Sequence, residues 1–215
     1  MITRVKICGI KTAEIMDATL DAGADDVGLV FFPKSPRNVG LSEAAVLADI
    51  ARGRARIVAL TVDADDELLD QIVRDVKPDL LQLQGHETAA RCRALRARFG
   101  VALMKAVGVA DAKDVERAFD YVDAVDLILF DAKPPKGAIL PGGNGLAIDW
   151  SLLVDASPRK PYMLAGGLTP YNVAQAIAAT GAPAVDVSSG VESAPGVKDA
   201  NVIRAFIAAA KRGPV

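Results

Sequence analysis

Eight short apolar runs, each followed by a stretch of helical period, set the pattern of this 215-residue chain. The runs fall at residues 5–7, 27–30, 57–60, 80–83, 102–105, 127–130, 162–164 and 184–187. Runs of this length suit strands buried on both faces of a parallel sheet. Between them, Leu68, Leu69, Ile72, Val73 and Val76 share one helical face, as do Ile203, Phe206, Ile207 and Ala210. Helix starts are marked as well. Thr169 before Pro170 reads as an N-cap with proline at the first helical position. Ser42 is expected to open the second helix and Asp111 the fifth. Asp63, Asp65, Asp66 and Glu67 gather at the start of the third, where negative charge complements the helix dipole and most of it stays solvated.

Strands alternating with helices imply a parallel sheet with right-handed crossovers. Eight such units in 215 residues allow about 27 residues each, compact for a closed barrel but sufficient. An open doubly wound sheet would want a phosphate-binding fingerprint in the first βα turn, and Cys8-Gly9-Ile10-Lys11 is not one. No change of composition marks a linker. The expectation is an α/β protein, a single (β/α)8 TIM barrel over residues 1–215.

Composition narrows the function. Hydrophobic residues at 51% and charged residues at 24% describe a globular chain far from disorder. A net charge of -2 provides no global field for nucleic acid or an anionic membrane. The arginine-rich stretches 52–56 and 91–98 lack interleaved aromatic residues, and Cys92, Leu95 and Phe99 form an apolar face between the arginines, so both read as solvated outer faces. The chain begins Met1-Ile2-Thr3-Arg4-Val5-Lys6 and runs straight into a strand, without a secretory signal. No apolar run approaches the roughly 20 residues of a membrane span. A cytoplasmic protein with two free thiols is expected, Cys92 being a small core residue.

In such a barrel the C-terminal ends of the strands carry the active site. Cys8 ends the first strand and is expected to lie exposed at the rim. The loop after the second, residues 32–37, brings Arg37, whose planar fork matches a carboxylate. Gln82-Leu83-Gln84-Gly85-His86 closes the fourth, and Asp131 ends the sixth. Gly166-Gly167 follows the seventh and Ser188-Ser189-Gly190 the eighth. Those last two loops offer amides and hydroxyls to a phosphate, the glycines letting backbone come close. Cys8 and Asp131 would face each other from strands one and six, a thiol to remove a proton and a carboxyl to donate one. Asp186 points either to ligand hydroxyls or into the barrel floor. His86, the one histidine, reads as a loop residue, and without a second histidine or nearby cysteine a zinc site lacks ligands. Residues 134–145, ending Gly142-Gly143-Asn144-Gly145, match no nucleotide loop and read as a mobile cover that excludes water.

These motifs together resemble the phosphoribosylanthranilate isomerase family of tryptophan biosynthesis over nearly the full length. Lys6-Ile7-Cys8-Gly9-Ile10, Gly23-Ala24-Asp25 with Ser35-Pro36-Arg37, and Leu81-Gln82-Leu83-Gln84-Gly85 carry the resemblance. So do Asp131 with Gly142-Gly143-Asn144-Gly145, Leu164-Ala165-Gly166-Gly167-Leu168, Asp186-Val187-Ser188-Ser189-Gly190-Val191-Glu192, and Pro195-Gly196-Val197-Lys198-Asp199. The resemblance implies an Amadori rearrangement of N-(5-phosphoribosyl)anthranilate to 1-(2-carboxyphenylamino)-1-deoxyribulose 5-phosphate. Asp131 would protonate the ring oxygen and Cys8 would take the proton from C2. Arg37 would hold the anthranilate carboxylate, with Asp186 and Gln82 also on the substrate. Gly166, Gly167, Ser188, Ser189 and Gly190 would grip the phosphate. The resemblance implies no metal or organic cofactor, and a monomer or homodimer. Two positions depart from the family: Gln84 stands where histidine is usual and Asn144 where threonine is usual.

Two alternatives stand beside this reading, another enzyme and a protein of another class. A histidine-pathway sugar-phosphate isomerase would carry a carboxylate in place of Cys8. A non-catalytic barrel that binds a phosphorylated metabolite would keep the phosphate loops but needs neither the thiol nor Asp131.

Overall fold

A computed structural model describes residues 3–133, 137, 142–143, 145, 147–156 and 161–212. Eight parallel strands close on themselves in chain order: β1 (Arg4–Cys8), β2 (Asp26–Phe31), β3 (Arg56–Thr61), β4 (Leu80–Leu83), β5 (Ala102–Val109), β6 (Leu127–Ala132), β7 (Tyr162–Leu164) and β8 (Ala184–Val187). The closing pair is β1 with β8, in which Lys6 lies opposite Asp186. The helices α1 (Ala13–Asp21), α2 (Leu41–Ala51), α3 (Asp66–Asp75), α4 (Ala89–Phe99), α5 (Ala112–Ala118), α6 (Ser151–Ala156), α7 (Val173–Thr180) and α8 (Ala200–Lys211) follow the strands. A hairpin of β9 (Glu192–Ala194) and β10 (Val197–Lys198) is inserted before α8. The eight-unit barrel expected from the apolar runs is therefore the fold observed.

Two apolar clusters follow from the period of two along each strand. One fills the barrel itself, with Val58, Leu80, Met104, Ala106, Leu129, Met163, Ala165 and Ala184. The other lies between sheet and helices and takes the alternate strand residues, such as Ile57, Leu81, Leu103, Ile128 and Phe130. The inward rows place the chemistry. Leu129 is inside the barrel, so Asp131 two residues on emerges at its C-terminal mouth. Ala184 leads to Asp186 on β8 and Leu80 to Gln82 on β4 by the same count.

Helix starts differ in two places from expectation. α2 opens at Leu41 with Gly40 as its cap, because the Glu43 carboxylate accepts from the Gly40 amide at 3.1 Å; Ser42 is already inside the helix. α7 begins at Val173, not at Pro170. The Asn172 side chain accepts from Thr169 N–H at 2.7 Å and donates to the Gly167 carbonyl at 3.0 Å, holding the intervening residues in a turn. Asp111 caps α5 as expected, and Asp65, from the acidic group, caps α3. Strand β5 runs four residues past the expected run because Ala106–Val109 pair with Leu129–Ala132. Of the expected cover loop, residues 134–136, 138–141 and Asn144 lie outside the described residues.

Candidate active site

A cleft of about 770 Å³, counting the space at its open mouth, occupies the C-terminal end of the barrel. Every residue expected to act on the substrate lines it: Cys8, Arg37, Gln82, Asp131, Asp186, Gly166, Gly167, Ser188, Ser189 and Gly190. His86 does not. Its ring is 92% exposed and pairs with Asp63 at 2.9 Å outside the cleft, in keeping with a loop residue. Among the described residues no cluster of three or more histidine, cysteine or carboxylate side chains could hold a metal.

Asp131 is buried at the end of β6. Its Oδ1 accepts from the Ala132 amide at 2.8 Å, and its Oδ2 accepts from Gln84 Nε2 at 3.2 Å. Gln84 is fixed in turn by Gln82, whose Nε2 donates to Gln84 Oε1 at 2.7 Å. Gly142 lies directly over this contact: a Cβ there would fall 2.5 Å from Asp131 Oδ2 and 2.7 Å from Gln84 Nε2. Burial, seconded by the nearby Asp186 charge, raises the Asp131 carboxyl to a pKa of about 7, against the pull of its hydrogen bonds and of Lys6. A carboxyl at that value is half protonated at neutral pH and can donate.

Cys8 differs from the exposed rim thiol expected. It is only 4% exposed, because its side chain packs on β2, where Gly28 leaves just enough room: a Cβ at Gly28 would sit 2.9 Å from Sγ. Burial pushes the Cys8 thiol above its ordinary range, while Lys6 and Lys198 draw it down. Lys6 itself is fully buried, and its ammonium donates to Asp186 Oδ1 at 2.9 Å. Desolvation works against that charge, but Asp186 and Cys8 outweigh it and hold the lysine above its ordinary value. Asp186 thus does both things the strand position allowed, lining the cleft and neutralising a lysine inside the barrel.

Arg37 is buried rather than loose over the mouth. Nε and Nη2 grip both oxygens of Glu192 at 2.7 and 2.8 Å, leaving Nη1 turned to Gly143, where an added Cβ would come within 2.8 Å. Lys198 shares Glu192 at 2.8 Å and also donates to the Ser188 carbonyl at 2.9 Å. The Glu192 carboxyl suffers desolvation, yet Arg37 and Lys198 keep it below its ordinary value. Ser188 Oγ donates to the Cys8 carbonyl, which ties the β8 loop to β1.

Gly166 and Gly167 both have positive φ, 84° and 61°, so this turn is closed to most side chains. Gly190 meets a packing limit instead: a Cβ would land 1.9 Å from the Leu168 carbonyl oxygen, locking the two loops together. The amides of Gly167, Ser189 and Gly190 have no protein acceptor among the described residues.

Sequence reasoning gave no role to Lys6, Glu192, Lys198 or the Gln84–Asp131 bond. Lys6 had a legible signal, a charge two residues before Cys8 and hence on the same inward face. Glu192 and Lys198 stood inside motifs already singled out, but only the hairpin brings them together.

Fold and cleft define the class first: a (β/α)8-barrel enzyme with its titratable groups gathered at the C-terminal mouth. Comparison with known proteins gives the particular family. Residues 5–209 match the family model of N-(5'-phosphoribosyl)anthranilate (PRA) isomerase. An N-(5'-phosphoribosyl)anthranilate isomerase from Paramagnetospirillum magneticum is 55% identical over 213 residues, covering 99% of each chain. A solved isomerase in complex with reduced 1-(o-carboxyphenylamino)-1-deoxyribulose 5-phosphate superposes with a TM-score of 0.86 at 36% identity, covering 98% of this chain and 100% of the other. Monomers made from the dimeric enzyme of Thermotoga maritima give the same TM-score, identity and coverage. The chain belongs to the phosphoribosylanthranilate isomerase family, and it is an intramolecular aldose–ketose isomerase of tryptophan biosynthesis.

Proposed function

We propose that Asp131 is the general acid and Cys8 the general base of this isomerisation. The carrying observation is a buried carboxyl with a pKa of about 7 in the same cup as a thiol. Protonated Asp131 delivers its proton to the furanose ring oxygen as the C1–O bond breaks toward oxygen. The anthranilate nitrogen lone pair forms the C=N bond, giving a Schiff base. The Cys8 thiolate then removes the proton from C2, and the resulting enolamine tautomerises to the ketone.

Arg37 Nη1 receives the anthranilate carboxylate, with Glu192 holding the guanidinium plane. Asp186 and Gln82 meet sugar hydroxyls. The phosphate sits on Gly166, Gly167, Ser188, Ser189 and Gly190, a reading supported by the free amides of Gly167, Ser189 and Gly190. The substrate is thus a phosphoribosylated anthranilate, and the enzyme works in the cytoplasm as a monomer or homodimer. No helix among the described residues is long and apolar enough to cross a membrane.

The test follows loss of phosphoribosylanthranilate fluorescence in wild type, Asp131→Asn and Cys8→Ser. Both substitutions are expected to lower turnover by orders of magnitude while a product analogue still binds. Turnover within tenfold of wild type in either variant would remove that residue from its role.

A further inference from the structure

The tandem glutamines on β4 carry one buried polar atom without a protein partner among the described residues. Gln82 is 1% exposed, and its Oε1 has no hydrogen-bond partner among the described residues, although its Nε2 is committed to Gln84. Gln84 stands where the family usually carries histidine, and it is the side chain that touches the acid. Its contact is with Oδ2 of Asp131, and that choice of oxygen matters.

Oδ1 already accepts a backbone N–H, so a proton on this carboxyl resides on Oδ2, the oxygen facing Gln84. The bond observed, Gln84 Nε2 to Oδ2, therefore suits the carboxylate. Once Oδ2 carries hydrogen, the facing N–H meets an O–H that needs an acceptor of its own. A half-turn of the Gln84 amide supplies that acceptor, Oε1. The same turn brings Gln84 Nε2 to face Gln82, which must turn as well and present its Oε1. Each arrangement keeps one hydrogen bond between the glutamines and one to Asp131. Oxygen and nitrogen of the amides exchange places without any backbone movement.

We propose that Gln82 and Gln84 form an amide relay that reverses its direction with the proton on Asp131, making Gln84 a positioning residue for the general acid. This rests on the reading of Asp131 as that acid. Before ring opening, Gln84 Oε1 holds the Oδ2 hydrogen at the mouth of the cleft. When the proton has passed to the ring oxygen, the amides turn back and Gln84 Nε2 stabilises the new carboxylate. The atom Gln82 turns away from Gln84 changes in step, from N–H donor to carbonyl acceptor. An imidazole offers the same ambivalence by exchanging tautomers, so histidine and glutamine are equivalent at this position for one physical reason.

The charged and titratable groups that share the cup with Asp131 are Asp186 on β8, Lys6 and Cys8 on β1, and Arg37 from the β2 loop, whose guanidinium is held by Glu192. Lys6 stays protonated and Cys8 stays largely protonated through the neutral range. The Asp131 proton is thus what the amides follow there.

Neutron diffraction from crystals of the full chain in heavy water, at about pH 5.5 and about pH 8.5, reads the deuterons on both amides. At the lower pH a deuteron on Asp131 Oδ2 should point to Gln84 Oε1, with Gln84 Nε2 donating to Gln82. At the higher pH both amides should be reversed. The same orientation at both values overturns the proposal. Kinetics provide a second readout: Gln84→Met should lower kcat about tenfold with KM moving less than about threefold. Gln84→His should recover most of that loss and add a pH dependence near the imidazole's own pKa of about 6.5, which a merely structural side chain would not do. Recovery by Gln84→Leu as well would overturn it too. Should Asp131→Asn retain wild-type turnover, the acid assignment itself fails, an outcome distinct from static amides beside an essential Asp131.

Discussion

Replacing Asp131 by asparagine should inactivate the enzyme and stabilise it, and the stabilisation should grow with pH. The native carboxyl has a pKa of about 7, against about 3.9 for an aspartate in an unfolded chain. Between those values the native state holds a proton that the unfolded state has released, so native stability falls as pH rises through that window. Below about pH 4 both states are protonated and the effect vanishes. At 1.36 kcal/mol per pH unit the full cost is about 4 kcal/mol by pH 8, of which about 1.5 kcal/mol is present at pH 5. Asparagine does not titrate and keeps an oxygen for the Ala132 amide. The gap in unfolding free energy between Asp131→Asn and wild type should widen by about 2.5 kcal/mol from pH 5 to pH 8. Urea denaturation measures it, as a midpoint difference that grows by about 1 M. A pH-independent gap, or a variant that loses ground at high pH, would mean that the fold does not keep this carboxyl protonated.

The proposed mechanism needs Cys8 ionised and Asp131 protonated, yet Cys8 lies above its ordinary range and Asp131 is near 7. With the thiol raised by burial and the Asp131 carboxyl near 7, only a minor share of the singly ionised enzyme has the proton in the productive place. The pH profile of kcat/KM should accordingly rise through about pH 7 and fall through the thiol's pKa; activity that only declines above pH 7 would refute this inverted order. Lys6→Met leaves Asp186 buried without its cation, and urea unfolding should show a loss of about 3–5 kcal/mol. Because Lys6 lowers the pKa of both Asp131 and Cys8, that variant's activity profile should also move to higher pH. Gly190→Ala forces a Cβ against the Leu168 carbonyl and should cost about 1–3 kcal/mol while weakening inhibition by inorganic phosphate; unchanged inhibition would separate this loop from the phosphate.

Much of the barrel was legible because the strands are short and mostly apolar and because α3 and α8 each present one clear apolar face. Leu69 and Ile72 on α3, Val76 at its C-terminal cap, and Ile203, Phe206, Ile207 and Ala210 on α8 are buried as their spacing requires. Counting strand ends then gathers the site, since a period of two fixes which residues point inward once the ends are known. Contacts between loops escaped the same reasoning. Arg37 and Glu192 are 155 positions apart and meet only because the β9–β10 hairpin folds back, with Gly196 packed on the Pro36 carbonyl. The depth of Cys8 was missed for a similar reason: it depends on the missing side chain at Gly28, a residue on the neighbouring strand. The starts of α2 and α7 shifted because side chains three residues ahead, Glu43 and Asn172, competed for the capping amides.

The mouth holds two charge circuits, and their separation bears on how one cleft can bind a trianionic ligand and still move protons. Lys6, Asp186 and the protonated Asp131 sum to zero, so a thiolate at Cys8 would be the sole net charge among the proposed proton-transfer groups. Arg37 and Lys198 both pair with Glu192, leaving that circuit one positive charge in excess. The excess cation bridges the β2 loop and the β8 loop, where the anthranilate carboxylate and the phosphate would lie. On the proposed placement, anions seated there would meet Arg37 and backbone amides rather than Lys6. Had Lys6 been left to bind the phosphate, the thiolate and the Asp186 carboxylate would have lost their counter-ion together. Pairing Lys6 with Asp186 inside the barrel keeps the proton-transfer groups near neutrality at the point where a ligand's charge would otherwise displace both pKa values.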